Sequence, residues 1–232
     1  MPSESGSGPI TNRREASEML TAATLALAGV TTKAAAAPAD IDPQTGNRLP
    51  LPRREDLDAA AQRIYDQVVD PNGVTLRGLR GPSGIHLHSP GLAVLMRPLN
   101  DYLRNKTGFG GRVREIAILA AARATSNQFE WAAHESVALK EGVPLAVIDV
   151  IKHRKPTAGL EAGDAVIVDL CRASFETRSV SSELYARALK IFGKRQLVDL
   201  VVLMGYYVMT AGLLNTFDMQ LDPGQDPALP LP

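Results

Sequence analysis

Three side chains in the middle of the sequence have the types and the spacing needed for proton transfer. Glu130 and His134 are spaced i, i+4, so they are neighbours on one face of a helix. Glu115 shares a helix face with Ile118 and Leu119, and a carboxylate on an apolar face must be paired, hydrogen-bonded or protonated. Burial raises the pKa of a carboxyl group and a nearby cation lowers it, so two carboxyls beside an imidazole can take different roles. The pattern predicts a catalytic set of Glu115, Glu130 and His134.

Two other interpretations of this set remain open. A buried Glu–His hydrogen bond can serve only to order two packed helices. Two carboxylates and an imidazole can also bind iron, manganese or zinc. The sequence contains only one Glu-x-x-x-His motif, however. Together with the additional glutamate, this motif would supply only three ligands. We therefore expect no metal site and no cofactor.

Several other residues are candidates for contacts with a substrate. Arg123 can bind a carboxylate or pair with an acid, and His86 and His88 fall in a Gly/Pro-rich segment that is predicted to be a loop, where functional residues are common. The sole cysteine, Cys171, rules out an intrachain disulfide and a CxxC pair, and we expect it to pack as a small apolar side chain. The last helix offers polar residues for the far wall of a pocket: Asp199, Tyr206, Tyr207 and Asn215.

Helices must position these residues, because apolar side chains recur at helical spacing and no useful segment alternates with a period of two. The sequence therefore predicts an all-α fold, a helical-hairpin bundle with about seven or eight helices in one domain. The predicted helices cover residues 55–69, 90–107, 112–125, 127–140, 145–153 and 161–175, a segment that begins at Ser181, and residues 194–218.

The two helices that carry the acid/base set are predicted to form an antiparallel hairpin that turns near Ser126. Glu115 precedes this turn by almost the same distance as His134 follows it, and the offset is less than one helical turn, about 5 Å. The hairpin therefore brings the three candidate residues into one pocket.

The N-terminal residues have the features of an export signal. Paired arginines at 13 and 14 precede a mildly apolar run over residues 19–32 and an Ala-rich site before Asp40, as in a twin-arginine signal. This predicts a periplasmic protein; the alternative is a cytoplasmic protein with an Ala-rich N-terminal helix. The predicted organisation is a signal (1–39), a lead-in with one helix and a Gly/Pro-rich loop (40–89), a helical domain (90–221) and a Pro-rich tail (222–232).

The overall charge excludes some partners. Lysine plus arginine equals aspartate plus glutamate at 25 each, which leaves no broad electrostatic attraction to nucleic acid or to an anionic membrane. No segment is judged to reach the roughly 20 apolar residues that span a bilayer. We therefore expect no nucleic acid, no membrane span, and a small molecule as the partner.

The segment from Glu115 to Glu135 resembles the signature of the carboxymuconolactone decarboxylase superfamily. That signature, E-L-x-I-L-x-x-A-R-x-T-x-x-x-Y-E-W-x-x-H, is matched in register, with Phe129 in place of the usual tyrosine. The alkyl hydroperoxidase D branch of this superfamily carries a CxxC pair where Asn127 and Glu130 stand, so its thiol chemistry is not expected. The usual His- and Arg-bearing segment of the decarboxylase branch is also missing.

The resemblance implies an all-α fold of helical hairpins that assembles as a trimer or hexamer, with the site near subunit contacts. It implies a cofactor-independent lyase that acts on a small acidic, lactone-type metabolite through Glu115, Glu130 and His134, with Arg123 as a carboxylate contact. The first alternative is a non-catalytic binding or assembly module of the same fold. A peroxide-reducing or metal-dependent oxidoreductase is the second.

Overall fold

Eight α-helices and no β-strand form the described part of the chain, residues 38–72 and 76–230 of a computed structural model. The predicted all-α bundle is confirmed. Short 3₁₀ segments occupy Arg54–Asp56 and Gly78–Arg80, and a π-helical segment occupies Arg172–Thr177. The α-helices are α1 (Ala59–Val69), α2 (Pro82–Leu87), α3 (Pro90–Asn105), α4 (Gly111–Ala124), α5 (Gln128–Lys140), α6 (Leu145–Lys152), α7 (Ala162–Cys171) and α8 (Ser182–Thr216).

Helix α4 lies at the centre of the bundle and packs against α5, α6, α7 and α8. All of its residues from 115 to 123 are buried, and four of these nine are alanines, at 117, 120, 121 and 122, whose small side chains let neighbouring helices approach closely. Two polar residues, Glu115 and Arg123, belong to this buried stretch. Each must therefore find partners inside the protein.

The turn between α4 and α5 is fixed by the backbone itself. Ser126 adopts a left-handed conformation with φ 50°, the amide of Ser126 donates to the Arg123 carbonyl, and the amide of Asn127 donates to the Ala122 carbonyl. These two bonds form a Schellman motif, which ends α4. The side chain of Asn127 then accepts from the Glu130 amide at 2.8 Å and caps α5. One short connection thus sets the register of the predicted hairpin.

Helix α2 corrects the prediction of a loop over residues 70–89. Pro82 fits its first turn, where a backbone donor is not needed. Gly84 lets α2 approach the preceding 3₁₀ segment, because a Cβ at this position would collide with the Leu79 carbonyl oxygen. His86 is consequently a buried helical residue, whereas His88 caps the end of the helix and is exposed.

Helix α8 bears on two predictions. Its backbone leaves helical values at Gly193, where φ is 68° and ψ is 171°, so two helices meet there at a kink, as predicted. The prediction of no membrane span is wrong, because Ser182–Thr216 is long and apolar enough, by length and composition, to cross a membrane. Half of its most apolar stretch is buried within the protein, where α8 packs on α4 and α7.

The segment after α8 is irregular but anchored. Asp222 pairs with Arg77 and Arg80, and the Gln128 side chain exchanges two hydrogen bonds with the backbone of Leu229, which is buried. The predicted export signal lies outside the described residues except for its last two positions, 38 and 39.

Candidate functional site

Glu115 and His134 form a buried hydrogen bond across the α4–α5 hairpin. The Glu115 Oε2 and His134 Nδ1 atoms are 2.7 Å apart, and both side chains are almost fully shielded from solvent. The second carboxylate oxygen of Glu115 accepts from Arg114 Nε at 3.1 Å. A carboxylate with both oxygens engaged favours the His134 tautomer that donates from Nδ1, and this leaves the Nε2 lone pair available.

Glu130 faces the other nitrogen of the same imidazole. Its Oε2 atom lies 3.6 Å from His134 Nε2, which is an ion-pair distance rather than a hydrogen bond. The two residues are one helical turn apart on α5, as the sequence predicts. In the part of the chain that the structure describes, no side chain donates a hydrogen bond to the Glu130 carboxyl group, so it remains free to exchange a proton.

The two carboxyl groups have opposite pKa shifts. Burial raises the pKa of Glu115, but the hydrogen bond and charge of His134, with Arg114 and Arg104, outweigh it and lower the pKa overall. For Glu130 burial prevails over the charges of His134 and Arg104, and the nearby Glu115 adds to the rise, so its pKa lies above the ordinary value. The site therefore combines a carboxylate that stays ionised with a carboxyl group that is able to hold a proton.

A cavity of about 660 Å³ opens onto this pair, which is a size that suits a small-molecule ligand. Glu130 and His134 line it from α5, and Tyr206, Tyr207 and Thr210 line it from α8. Glu115 does not line it, because it lies behind the imidazole. Two of the four α8 residues suggested by the sequence are thus at the cavity. Asp199 instead accepts from Tyr102, and Asn215 accepts from Asn127.

Four arginines also line the cavity, and sequence reasoning missed all of them: Arg77, Arg97, Arg104 and Arg114. Arg77 pairs with Asp222 and Arg114 bonds to Glu115, but Arg97 and Arg104 have no carboxylate oxygen within 4 Å among the described residues. Burial lowers the pKa of Arg104, yet Tyr207, Glu115 and Glu130 raise it overall. The i, i+7 spacing of Arg97 and Arg104 on one face of α3 was the available signal.

Two of the predicted substrate contacts lie away from this cavity. The buried Arg123 guanidinium donates to the Lys152 carbonyl at 2.8 Å and to Ser126 Oγ at 3.0 Å, and so ties α4 to the end of α6. His88 Nε2 lies 2.9 Å from the Pro50 carbonyl on the surface. Neither residue lines the cavity, so the structure gives both of them a role in holding segments together.

His86 lies at a second, much smaller cavity of about 20 Å³, which shares with the large one the lining residues Ile64, Ser83, Arg97, Asn100 and Tyr206. The imidazole is buried, and its Nε2 atom has no hydrogen-bond partner in the described residues. Burial lowers its pKa. His86 is therefore beside the site that contains His134, but it is neutral and its Nε2 atom has no partner in the described residues.

Cys171 is fully buried in the core, and burial raises the pKa of its thiol to about 12. A thiolate is the reactive form of cysteine, so this setting is that of a packing residue. Within residues 38–72 and 76–230 no cluster of His, Cys, Asp or Glu side chains has an arrangement that would hold a metal ion.

Comparison of the chain with models of protein families and with curated proteins finds no match. The resemblance to the carboxymuconolactone decarboxylase superfamily thus stays a prediction from the residues between Glu115 and His134.

Proposed function

We propose that this protein is a cofactor-independent lyase of the carboxymuconolactone decarboxylase type that acts on a small acidic, lactone-type compound. The observation that carries the proposal is the 2.7 Å hydrogen bond from His134 Nδ1 to a buried Glu115, with Nε2 left beside Glu130 at the cavity. A carboxylate that orients an imidazole and stabilises its cation is the arrangement that makes histidine an effective base.

The three residues divide the acid/base steps. Glu115 is a positioning residue, because it touches His134 and does not line the cavity. His134 Nε2 takes the proton of the carboxyl group that the substrate will lose, and the resulting imidazolium is stabilised by the Glu115 carboxylate. Glu130 supplies a proton, because burial favours its protonated form.

Decarboxylation uses the same groups. The bond between the carboxylate and the adjacent carbon breaks, and its electron pair moves into the conjugated carbonyl of the lactone. The enolate that results is then protonated on carbon by the His134 imidazolium, either directly or through the Glu130 carboxyl group, which is reprotonated by the imidazolium. Carbon dioxide leaves, and the proton returned to the carbon replaces it, so atoms and charge balance.

The acidic character of the substrate is supported by the cavity wall. Arg97 and Arg104 line the cavity without a carboxylate partner among the described residues, and a guanidinium binds a carboxylate in a bidentate way. Acidic side chains line the same space at Asp101 and Glu130, but Asp101 is held by Lys106 and Asn105. The unpaired positive charge is therefore available to a ligand.

The test is turnover of a panel of γ-lactone carboxylic acids, followed by carbon dioxide release and by deuterium incorporation from D₂O. We expect His134→Ala and Glu115→Gln to lower kcat/KM by about 100-fold or more. His88→Ala is the matched control, because this imidazole lies on the surface away from the cavity, and it should keep the wild-type rate. Wild-type rates in both site variants, with folding intact, would refute the proposal, and binding without turnover would favour a binding module.

A further inference from the structure

Two consecutive tyrosines on α8, Tyr206 and Tyr207, have hydroxyl groups in matching settings. Tyr206 accepts a hydrogen bond from Asn100 Nδ2 at 3.0 Å, and Tyr207 accepts one from Arg104 Nη1 at 3.1 Å. The two donors are one turn apart on α3. Both tyrosines line the large cavity, and both are more than nine-tenths buried.

Each tyrosine hydroxyl accepts one hydrogen bond and can still donate one through its own proton. A tyrosine hydroxyl is both a donor and an acceptor, and buried ones usually have a partner for the donor as well. In the described residues neither Tyr206 nor Tyr207 donates to any protein group. Burial raises the pKa of both side chains, so both hydroxyls keep their protons at neutral pH.

We propose that the Tyr206 and Tyr207 hydroxyls form a donor site for an anionic oxygen on a planar carbon of the ligand, as in a carboxylate or an enolate. A hydroxyl that accepts from an amide or a guanidinium is polarised and donates more strongly. The site faces the same cavity as His134, and the Tyr207 ring contacts the imidazole edge to face at 5.3 Å between centroids. A base that removes a proton and donors that hold the resulting oxyanion are then on neighbouring walls.

This inference rests on the proposed function for its role in turnover, but it is tested by binding alone. The probe is oxalate, a planar anion, titrated calorimetrically into the full chain near neutral pH, with oxamide as a neutral molecule of the same shape. Tyr206→Phe and Tyr207→Phe keep the rings and remove only the hydroxyls. Tyr185→Phe is the matched control, because this tyrosine is on α8 but is exposed.

We expect each of the two site variants to bind oxalate about tenfold more weakly than the wild type, since a hydrogen bond to a charged group is lost. Tyr185→Phe should bind as the wild type does, and oxamide should not distinguish the variants. No saturable binding of oxalate to the wild type, or equal binding by the wild type and both site variants, would overturn the inference.

Tyrosine-dependent oxalate binding without turnover of any lactone acid would refute only the proposed reaction. Turnover that depends on His134, without tyrosine-dependent oxalate binding, would refute only the donor site.

Discussion

His134 and His86 are two buried imidazoles that border adjoining cavities, yet their settings are opposite. His134 is held between two glutamates on the α4–α5 hairpin, with Nδ1 bonded to a carboxylate. His86 is on the short α2, and its Nε2 has no partner among the described residues. Arg97 is the charged side chain at its cavity and Tyr206 is neutral, so neither stabilises an imidazolium there.

The difference shows that burial alone does not make a histidine reactive. Burial lowers the pKa of His86, and no carboxylate oxygen lies within 4 Å of its ring in the described residues, whereas His134 has the Glu115 carboxylate on Nδ1. The α4–α5 hairpin supplies that carboxylate because its register is fixed at the Ser126 turn. Helix α2 supplies no carboxylate to His86, so this imidazole lines its small cavity as a neutral side chain.

Among the changes that test this comparison, removal of the Glu115 carboxylate should lower the free energy of unfolding most. Glu115→Ala leaves His134 Nδ1 and one bond of Arg114 without a partner, and we expect the free energy of unfolding to fall by about 3–5 kcal/mol. Urea denaturation measures it. The pKa of Glu115 is lowered in the folded state, so its contribution is present above its ordinary value of 4.5 and is lost as the pH falls further, through the folded pKa.

The exposed Glu55→Ala is the control for this change, and its free energy of unfolding should stay within about 0.5 kcal/mol of the wild type. A loss below about 1 kcal/mol in Glu115→Ala would mean that the buried pair does not hold the hairpin together.

A smaller loss of stability is expected when α2, the helix that carries His86, is displaced. Gly84→Ala places a Cβ against the Leu79 carbonyl, so α2 must shift, and the free energy of unfolding should fall by about 1–3 kcal/mol. Gly91→Ala on α3 meets no atom within 4 Å and should be neutral or slightly stabilising. Chemical denaturation of the two variants gives the comparison; equal stabilities would show that the close approach of α2 is not needed.

The smallest effect at neutral pH is expected for His86→Leu. Because Nε2 of His86 has no hydrogen bond to lose among the described residues, an apolar side chain should change the free energy of unfolding by less than about 1 kcal/mol near pH 7.5. His134→Leu, by contrast, breaks the bond to Glu115 and should be markedly less stable.

The pH dependence of the free energy of unfolding gives a further test of the setting of His86. The folded pKa of His86 is lowered from 6.5, so the unfolded chain binds more protons below this value and wild-type stability falls as the pH is lowered through it. The slope from one such group is at most about 1.4 kcal/mol per pH unit. Unfolding measured from pH 7.5 to 5 should be less pH-dependent in His86→Leu, and identical slopes would contradict the assignment of a neutral imidazole.

Helical periodicity and end signals were sufficient to predict most of the architecture. The hairpin was predicted because apolar spacing defines both helices and because Ser126 and Asn127 mark their junction. Helix α2 was not predicted, because Gly and Pro residues are typical of loops. In the structure, Pro82 starts the helix and Gly84 permits its packing. The division of α8 at Gly193 was predicted, but the length of its apolar stretch was underestimated because polar residues such as Asp199 and Asn215 interrupt it.

The sequence by itself determined an all-α chain in which Glu130 and His134 share a helix face and Glu115 lies on an apolar one, because these properties depend only on local periodicity. Tertiary structure alone decided that Glu115 bonds to Nδ1 and stays outside the cavity, and that Arg123 ties α4 to α6. It also decided that Arg97 and Arg104 line the cavity and that, of the four residues suggested on α8, only Tyr206 and Tyr207 do. These outcomes depend on how α3 and α8 pack around the hairpin, and contacts between residues so distant in sequence leave no local pattern from which they can be read.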